Sequence, residues 1–214
     1  MKMNKKRIAA GLTGLGVVVL AGCAAAPGGM DDFTAMMKSS FTSKGIAKVD
    51  RLEQDKGQAA CSSDQAPSAA VAKAIEADAL ATMQWPAGGQ YFGDYKAGEK
   101  LAQSGKGMTW KDKSTDPAKN GGNCYNCHQI SKEEISYGTI GPSLYNYGKL
   151  RGVKDLGDPA AAAVIQYTWG KLWNSKAYAA CSNMPRFGAK HLLNQDQIRD
   201  LMSLLLDPRS PVNQ

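Results

Sequence analysis

Outside its first seven residues the sequence has little excess charge of either sign, and it has no apolar run long enough for a permanent membrane anchor. Of its 26 Lys and Arg residues, four lie within the first seven positions, and the remaining 22 nearly balance the 19 acidic residues. No basic helix and no alternation of basic and aromatic residues occurs, so nucleic-acid binding is not predicted. Over its 214 residues, 43% are hydrophobic and 21% charged. This composition excludes both wholesale disorder and a polytopic membrane protein.

Long stretches of period-two alternation are also missing, so the chain is predicted to be all-α apart from short turns. Helix start signals and apolar spacing predict helices over four segments: residues 69–82, residues 94–103, a segment beginning at Asp158-Pro159, and residues 196–206. In the first of these, Val71, Ile75 and the Ala79/Leu80 pair lie on one apolar face. The weak periodicity of residues 24–66 predicts a tether or short helices.

The first 23 residues have the pattern of a bacterial export signal. A basic start is followed by an apolar run of 13 residues, residues 8–20, whereas a spanning helix needs about 20. Residues 20–23, Leu-Ala-Gly-Cys, resemble the lipobox of bacterial lipoproteins, in which Cys23 would be acylated and become the mature N-terminus. Ordinary cleavage after residues 24–26 is the alternative and would remove Cys23. In both cases we predict a periplasmic protein, and acylation would anchor it to a membrane.

Residues 124–128, Cys-Tyr-Asn-Cys-His, form a C-x-x-C-H motif, which is the attachment sequence of c-type haem. Two thiols three positions apart on one turn can each add to one haem vinyl group, and the adjacent His128 then ligates the iron. A half zinc site would need a second ligand pair, but the only other histidine is the distant His191. A thioredoxin-like motif would need a βαβ context, which is missing. Cys124 and Cys127 are therefore predicted to hold one covalent haem c.

A haem iron that carries electrons needs a sixth ligand, and Met184 is the first candidate. Met184 lies 56 residues after His128, on a loop before the last predicted helix, and Pro185 stiffens the backbone there. A thioether ligand stabilises Fe(II) and raises the reduction potential. His191 is the alternative and would give bis-His ligation at a lower potential.

A Gly-Pro pair, Gly141-Pro142, follows the haem motif. In monohaem cytochromes c, a proline carbonyl at such a place accepts the Nδ1–H of the proximal histidine. Pro142 is therefore predicted to orient His128. The alternative is a plain Gly-Pro turn.

Two further cysteines, Cys61 and Cys181, remain after the leader cysteine and the haem pair. Spare thiols in an exported protein most often pair, which predicts a disulfide between the N-terminal region and the Met184 loop. In the chain-entropy model, closing a loop of this size contributes about 5 kcal/mol. A reactive thiol near the haem, active in sulfur transfer, is the alternative.

Four sequence elements occur in an order that resembles SoxX, the monohaem cytochrome c subunit of the SoxAX complex of bacterial thiosulfate oxidation. The resemblance covers roughly residues 90–214. The elements are residues 124–128 (Cys-Tyr-Asn-Cys-His), 141–144 (Gly-Pro-Ser-Leu), 184–188 (Met-Pro-Arg-Phe-Gly) and 206–213 (Leu-Asp-Pro-Arg-Ser-Pro-Val-Asn).

The resemblance implies an all-α, class I cytochrome c-like fold around one covalent haem, with an N-terminal extension that is helical or irregular. The domains would be an export signal over residues 1–23, the extension over residues 24–90 and a cytochrome c domain over residues 91–214. Cys124 and Cys127 would bind haem, while His128 and Met184 would ligate its iron.

The resemblance also implies a role in an L-cysteine S-thiosulfotransferase. In the family's complex, thiosulfate is conjugated to a cysteine of a carrier protein, SoxYZ, and the sulfur chemistry resides on the partner cytochrome SoxA. This chain would accept the released electrons and pass them to a small cytochrome c. It contains no nucleophile and base pair, acid pair or phosphate loop, so no catalytic residues of its own are expected.

Two other function classes compete with this interpretation. One is a free periplasmic monohaem carrier that serves a terminal oxidase or reductase, which would not co-purify with a second cytochrome. The other is a haem-based ligand sensor, which would need an open sixth position at the iron. Stable ligation by Met184 argues against the sensor.

Overall fold

The computed structural model describes residues 30–132 and 140–214. Within these ranges every regular element is helical, and the strand-like pairing is limited to an isolated bridge between Lys44 and Ala47. The fold is all-α, as predicted. The helices, numbered in chain order, are α1 (Met30–Ser40), α2 (Lys56–Cys61), α3 (Ala69–Ala81), α4 (Tyr95–Gln103), α5 (Tyr147–Leu150), α6 (Ala162–Trp173) and α7 (Gln195–Leu206).

The chain divides into two compact units, Met1–Ser40 and Phe41–Gln214. Within the first unit the structure describes only α1, of 11 residues. The predicted export signal and the lipidation site Cys23 lie outside the described residues. No helix in the described ranges is long and apolar enough to cross a membrane.

The predicted helices form where their capping residues lie. The Ser68 hydroxyl accepts from the Val71 amide at the start of α3, and Asp94 accepts from the Lys96 amide at the start of α4. Asn194 and its third neighbour Gln197 form a reciprocal capping box at α7. These side chains satisfy amides that have no partner inside the helix. The helices predicted over residues 69–82, 94–103 and 196–206 are thus confirmed to within a residue at each end.

The helix predicted to begin at Asp158-Pro159 starts differently. Asp158 caps a 3-10 turn, Pro159–Ala161, and the α-helix α6 follows directly from Ala162. The start signal is therefore correct, but the first turn is wound more tightly than an α-helix.

The predicted apolar face of α3 is wrong at its two ends. Val71 and Leu80 are 43% and 50% exposed, whereas Ala79 is buried and Ile75 is half-buried. The buried stripe is narrow because α3 packs mainly against the short 3-10 turn Ser175–Ala177 rather than against a second long helix. Small side chains such as Ala79 fit this close contact.

Helices α4 and α7 make the most extensive helix contact of the second unit. Gly98 lies at this crossing, and a Cβ atom there would overlap the carbonyl oxygen of Asp200 in α7. The missing side chain lets the two backbones approach closely. Ile198, Leu201 and Leu204 of α7 are almost fully buried beneath this crossing and form the centre of the core.

The C-terminal tail closes α7 and connects it to α5. Ser210 Oγ donates to the carbonyl oxygen of Leu204 at 2.6 Å, and Asn213 Nδ2 donates to that of Leu205 at 3.1 Å. The other side-chain atom of Asn213, Oδ1, accepts from the Gly148 amide at 2.9 Å. The tail thereby satisfies carbonyl groups that the end of a helix leaves without partners.

Residues 41–90 belong to the same compact unit as residues 91–214. Two buried tryptophans of α6 donate to this segment: Trp169 Nε1 to the Gln84 carbonyl oxygen at 3.0 Å, and Trp173 Nε1 to that of Thr82 at 2.9 Å. This part of the predicted extension is therefore packed on the core. The domain boundaries proposed from the sequence stay predictions.

Candidate functional site

The second unit encloses an apolar cavity of about 590 Å³. Its volume is within the range of about 300–1,000 Å³ that is usual for ligand and cofactor sites. Helices α6 and α7 supply much of its apolar wall, through Leu172, Leu201 and Leu205. Every residue predicted to touch a haem lines it: Cys124, Cys127, His128, Pro142 and Met184.

The haem-binding motif forms one tight turn on the cavity wall. Cys124–Asn126 is a 3-10 turn, in which the Cys127 and His128 amides both donate to the Cys124 carbonyl oxygen, at 3.1 and 2.9 Å. The preceding Asn123 has the left-handed conformation, with φ of 52°, which Asn tolerates better than most residues. The turn presents both thiols and the imidazole to the same cavity.

His128 is oriented by the backbone of the Gly-Pro segment. Its Nδ1 lies 2.7 Å from the carbonyl oxygen of Pro142. Since a carbonyl only accepts, Nδ1 carries the proton and Nε2 keeps the lone pair that binds a metal. Gly141 is required beside the ring, because a Cβ atom there would overlap the imidazole. The contact predicted for Pro142 is present in the structure.

Two serine hydroxyls hold the backbone of Met184, one at its carbonyl group and one at its amide. Ser175 Oγ, which is fully buried, donates to the Met184 carbonyl oxygen at 2.6 Å. The Met184 amide donates to Ser182 Oγ at 3.3 Å. The half-buried side chain packs against the hydrophobic core and lines the same cavity as His128.

His191, the alternative iron ligand, is exposed and is absent from the described cavity wall. Its backbone has φ of 52°, and its amide donates to the Gly188 carbonyl oxygen at 2.9 Å. The structure thus brings Met184, but not His191, to the cavity that contains His128.

Cys61 and Cys181 form a disulfide with a Cα–Cα distance of 5.4 Å. The bond joins the C-terminal end of α2 to the chain three residues before Met184. Since both sulfurs are in the bond, the alternative of a reactive thiol at these positions has no support in the structure. Among the described residues, the free cysteines are Cys124 and Cys127.

The sequence analysis did not single out two cationic residues at the cavity, Arg151 and Lys171. They are the only Lys or Arg side chains on the wall that the described residues form. The Arg151 guanidinium lies 3.7 Å from the centre of the Tyr147 ring, and burial lowers the pKa of Lys171. No local sequence pattern marks either residue as part of a binding site, because only the fold places them on this largely apolar wall.

These residues fit a haem c. The cavity offers two thiols, an imidazole nitrogen, a thioether and two cations, which match two vinyl groups, one iron and two propionates. Burial raises the pKa of the Cys124 thiol to about 12, so this thiol brings no charge into the apolar site. Within residues 30–132 and 140–214, no cluster of three His, Cys, Asp or Glu side chains could hold a bare metal ion.

Comparison with known proteins agrees with this geometry. The family model of cytochrome c matches residues 96–207, a range that contains the haem motif and Met184. The chain belongs to the cytochrome c family. It is also 36% identical over 166 residues to an uncharacterized lipoprotein of Aquifex aeolicus (strain VF5), an alignment that covers 75% of this chain and 73% of that protein.

Membership in the cytochrome c family indicates a covalently bound haem c and a function in electron transfer. Haem c is attached outside the cytoplasm, so the family also indicates an extracytoplasmic protein. The all-helical structure agrees with the class of fold predicted from the sequence.

Proposed function

We propose that this chain is the electron-accepting monohaem subunit of a SoxAX-type L-cysteine S-thiosulfotransferase. It would receive electrons released when thiosulfate is joined to a cysteine of a SoxYZ-like carrier protein and pass them to a small cytochrome c. The sulfur chemistry would occur on a SoxA-like partner. The free carrier for a terminal oxidase or reductase remains the second candidate.

The observation that carries the electron-accepting part of this proposal is the presence of His128 and Met184 on one cavity. A haem c bound there supplies one-electron redox chemistry at its iron. His128 Nε2 and the Met184 thioether would both bind the iron, and with both in place no position would be left for a sulfur substrate on the metal. The protein residues around the cavity can therefore bind and insulate the cofactor, while bond formation must take place elsewhere.

The SoxAX assignment itself is supported by the order of the four sequence elements. The C-terminal element, residues 206–213, is an intact structural unit in which Asp207 pairs with Arg209 at 2.7 Å and Asn213 joins α7 to α5. The segment of residues 184–188 places Met184 and Phe187 at the cavity. C-x-x-C-H alone would support only a cytochrome c.

A reconstituted conjugation assay tests the proposal. Joining thiosulfate to the carrier thiol forms an S–S bond and releases one proton and two electrons, and two ferric haems take up these electrons, one each. The purified chain alone is expected to give no conjugate. The chain mixed with a SoxA-like cytochrome and the carrier should give conjugate, measured as a mass increase of the carrier peptide, while the absorption of the bound haem shifts to the reduced form.

A carrier with serine in place of its reactive cysteine is the control and should give neither product nor haem reduction. Full conjugation by this chain without a partner would contradict the proposal that the sulfur chemistry occurs on the partner subunit. If the chain forms no stable complex with a SoxA-like protein yet exchanges electrons with an oxidase or reductase, the free-carrier function replaces the proposal.

We further propose that Cys23 is acylated and tethers the protein to a membrane. The similar Aquifex aeolicus protein is described as a lipoprotein, and residues 20–23 resemble a lipobox. Mass spectrometry of the mature N-terminal peptide should find Cys23 as the first residue with lipid attached. A mature protein that begins after residues 24–26 and carries no lipid would contradict this prediction.

A further inference from the structure

The segment that carries Met184 is held from outside by a second, sequence-distant segment. We define residues 174–186 as the Met184 loop and residues 55–82, which contain α2 and α3, as the strap. None of the strap residues is among those lining the cavity. The strap can therefore affect the cavity only indirectly, through the Met184 loop and the other residues that the strap contacts.

The N-terminal part of the strap is bonded to the loop close to Met184. The disulfide joins Cys61 to Cys181, three residues before Met184. Arg186, two residues after Met184, donates from Nη1 to Asp55 Oδ2 at 2.5 Å, and its side chain is only 17% exposed. A covalent bond and a half-buried ion pair thus lie on either side of Met184.

Asp55 has two separate functions at this contact. Its Oδ1 accepts from the Gln58 amide at 2.9 Å and caps α2, while its Oδ2 pairs with Arg186. Burial acts to raise the pKa of Asp55, but the hydrogen bonds from Arg186 and Gln58 hold it below its usual value. The carboxylate is therefore charged at neutral pH and attracts both Arg186 and Lys190, whose Nζ is 3.7 Å away.

The second end of the strap holds the beginning and middle of the loop. Asn174 Nδ2 donates to Thr82 Oγ1 at 2.9 Å, and Asn174 is buried. The Ala180 amide donates to Glu76 Oε1 at 3.2 Å. Contacts with the strap therefore occur at residues 174, 180, 181 and 186, which are the two ends and the centre of the loop.

We infer that the strap is a positioning device that keeps the Met184 thioether at the iron and opposes its replacement by other ligands. The inference rests on the proposed role of Met184 as the distal ligand. Asp55, Cys61 and Cys181 act here as positioning residues, since they touch the loop but not the cavity. Imidazole can bind the ferric iron only when Met184 has left, so its apparent affinity measures the population of the open loop.

The test is an imidazole titration of the ferric holoprotein, followed by haem absorption. Asp55→Asn removes the charge at Arg186 but keeps a side chain that caps helices well. It should tighten apparent imidazole binding about fivefold, the effect expected for a favourable partly buried ion pair. The double variant Cys61→Ser/Cys181→Ser removes the covalent link and should tighten binding about tenfold or more.

Arg51→Gln is the matched control. Arg51 also lies in the N-terminal segment and also makes a sequence-distant hydrogen bond, to the Met108 carbonyl oxygen at 2.6 Å, but its side-chain hydrogen bonds do not reach the Met184 loop. Its imidazole affinity should stay within twofold of the wild type. In the strap variants, the Met–iron charge-transfer band should also disappear at a lower temperature than the helical circular dichroism signal.

Unchanged imidazole affinity in both strap variants would overturn the inference, and so would an equal increase in the Arg51→Gln control. If the double cysteine variant does not fold, Asp55→Asn decides between these outcomes. A wild-type protein without a Met–iron band would instead show that Met184 is not the ligand, which is a failure of the proposed function rather than of the strap.

Discussion

Replacing both Cys124 and Cys127 with serine is expected to remove the haem-stained band at the mass of the chain on denaturing electrophoresis. Both thiols lie on the wall of one cavity, on a single 3-10 turn beside His128. Thioether bonds survive denaturation, whereas axial coordination does not, and a serine hydroxyl forms no such bond with a vinyl group. The loss should therefore be complete.

The double variant Cys61→Ser/Cys181→Ser is the matched control for this experiment. It makes the same chemical change at the disulfide pair and should keep the stained band. Covalent haem retained after replacement of Cys124 and Cys127 would contradict the assignment. A stain lost equally in both double variants would instead indicate a general failure of folding or maturation.

Replacing Met184 with lysine is expected to abolish the near-infrared sulfur-to-iron charge-transfer band of the ferric protein. Met184 lines the cavity that contains His128, and hydrogen bonds with Ser175 and Ser182 fix its backbone there. An amine ligand stabilises Fe(III) more than a thioether does. The reduction potential should fall by roughly 0.2 V, well inside the range of about 0.8 V over which axial ligands set haem potentials.

His191→Asn is the control for the alternative ligand. Asparagine tolerates the left-handed backbone of this position, where φ is 52°, so the exchange removes the imidazole without adding strain. The band and the potential should stay unchanged. An altered iron spectrum in His191→Asn together with an unaltered one in Met184→Lys would make His191 the ligand.

The local elements of this protein are determined by the sequence itself. The ends of α3, α4 and α7 could be predicted because Ser68, Asp94 and Asn194 act on amides within three residues of themselves. The haem motif is equally local, since its two thiols and imidazole need only one turn to face the same side. The Gly141-Pro142 pair and its proposed contact with His128 depend on a short connection and were also predictable.

Other features were decided by the tertiary structure. Val71 and Leu80 look like core residues in a helical pattern, yet they are exposed because the neighbour of α3 is too narrow to cover them. Nothing in the sequence distinguishes Arg151 and Lys171 from other charged residues. Only the fold places them on the apolar wall of the cavity. The choice between Met184 and His191 likewise required the fold, since only Met184 reaches the cavity.

The contacts of the strap show most clearly which features the sequence predicts and which only the tertiary structure decides. The sequence by itself predicts that Cys61 and Cys181 pair, because exported proteins tend to bridge spare thiols. It does not predict that Asp55, Glu76 and Thr82 also meet the Met184 loop. Periodicity and caps report contacts within a few residues, whereas these pairs are about 90 to 130 residues apart, and only the packing of the strap against α6 and the loop brings them together.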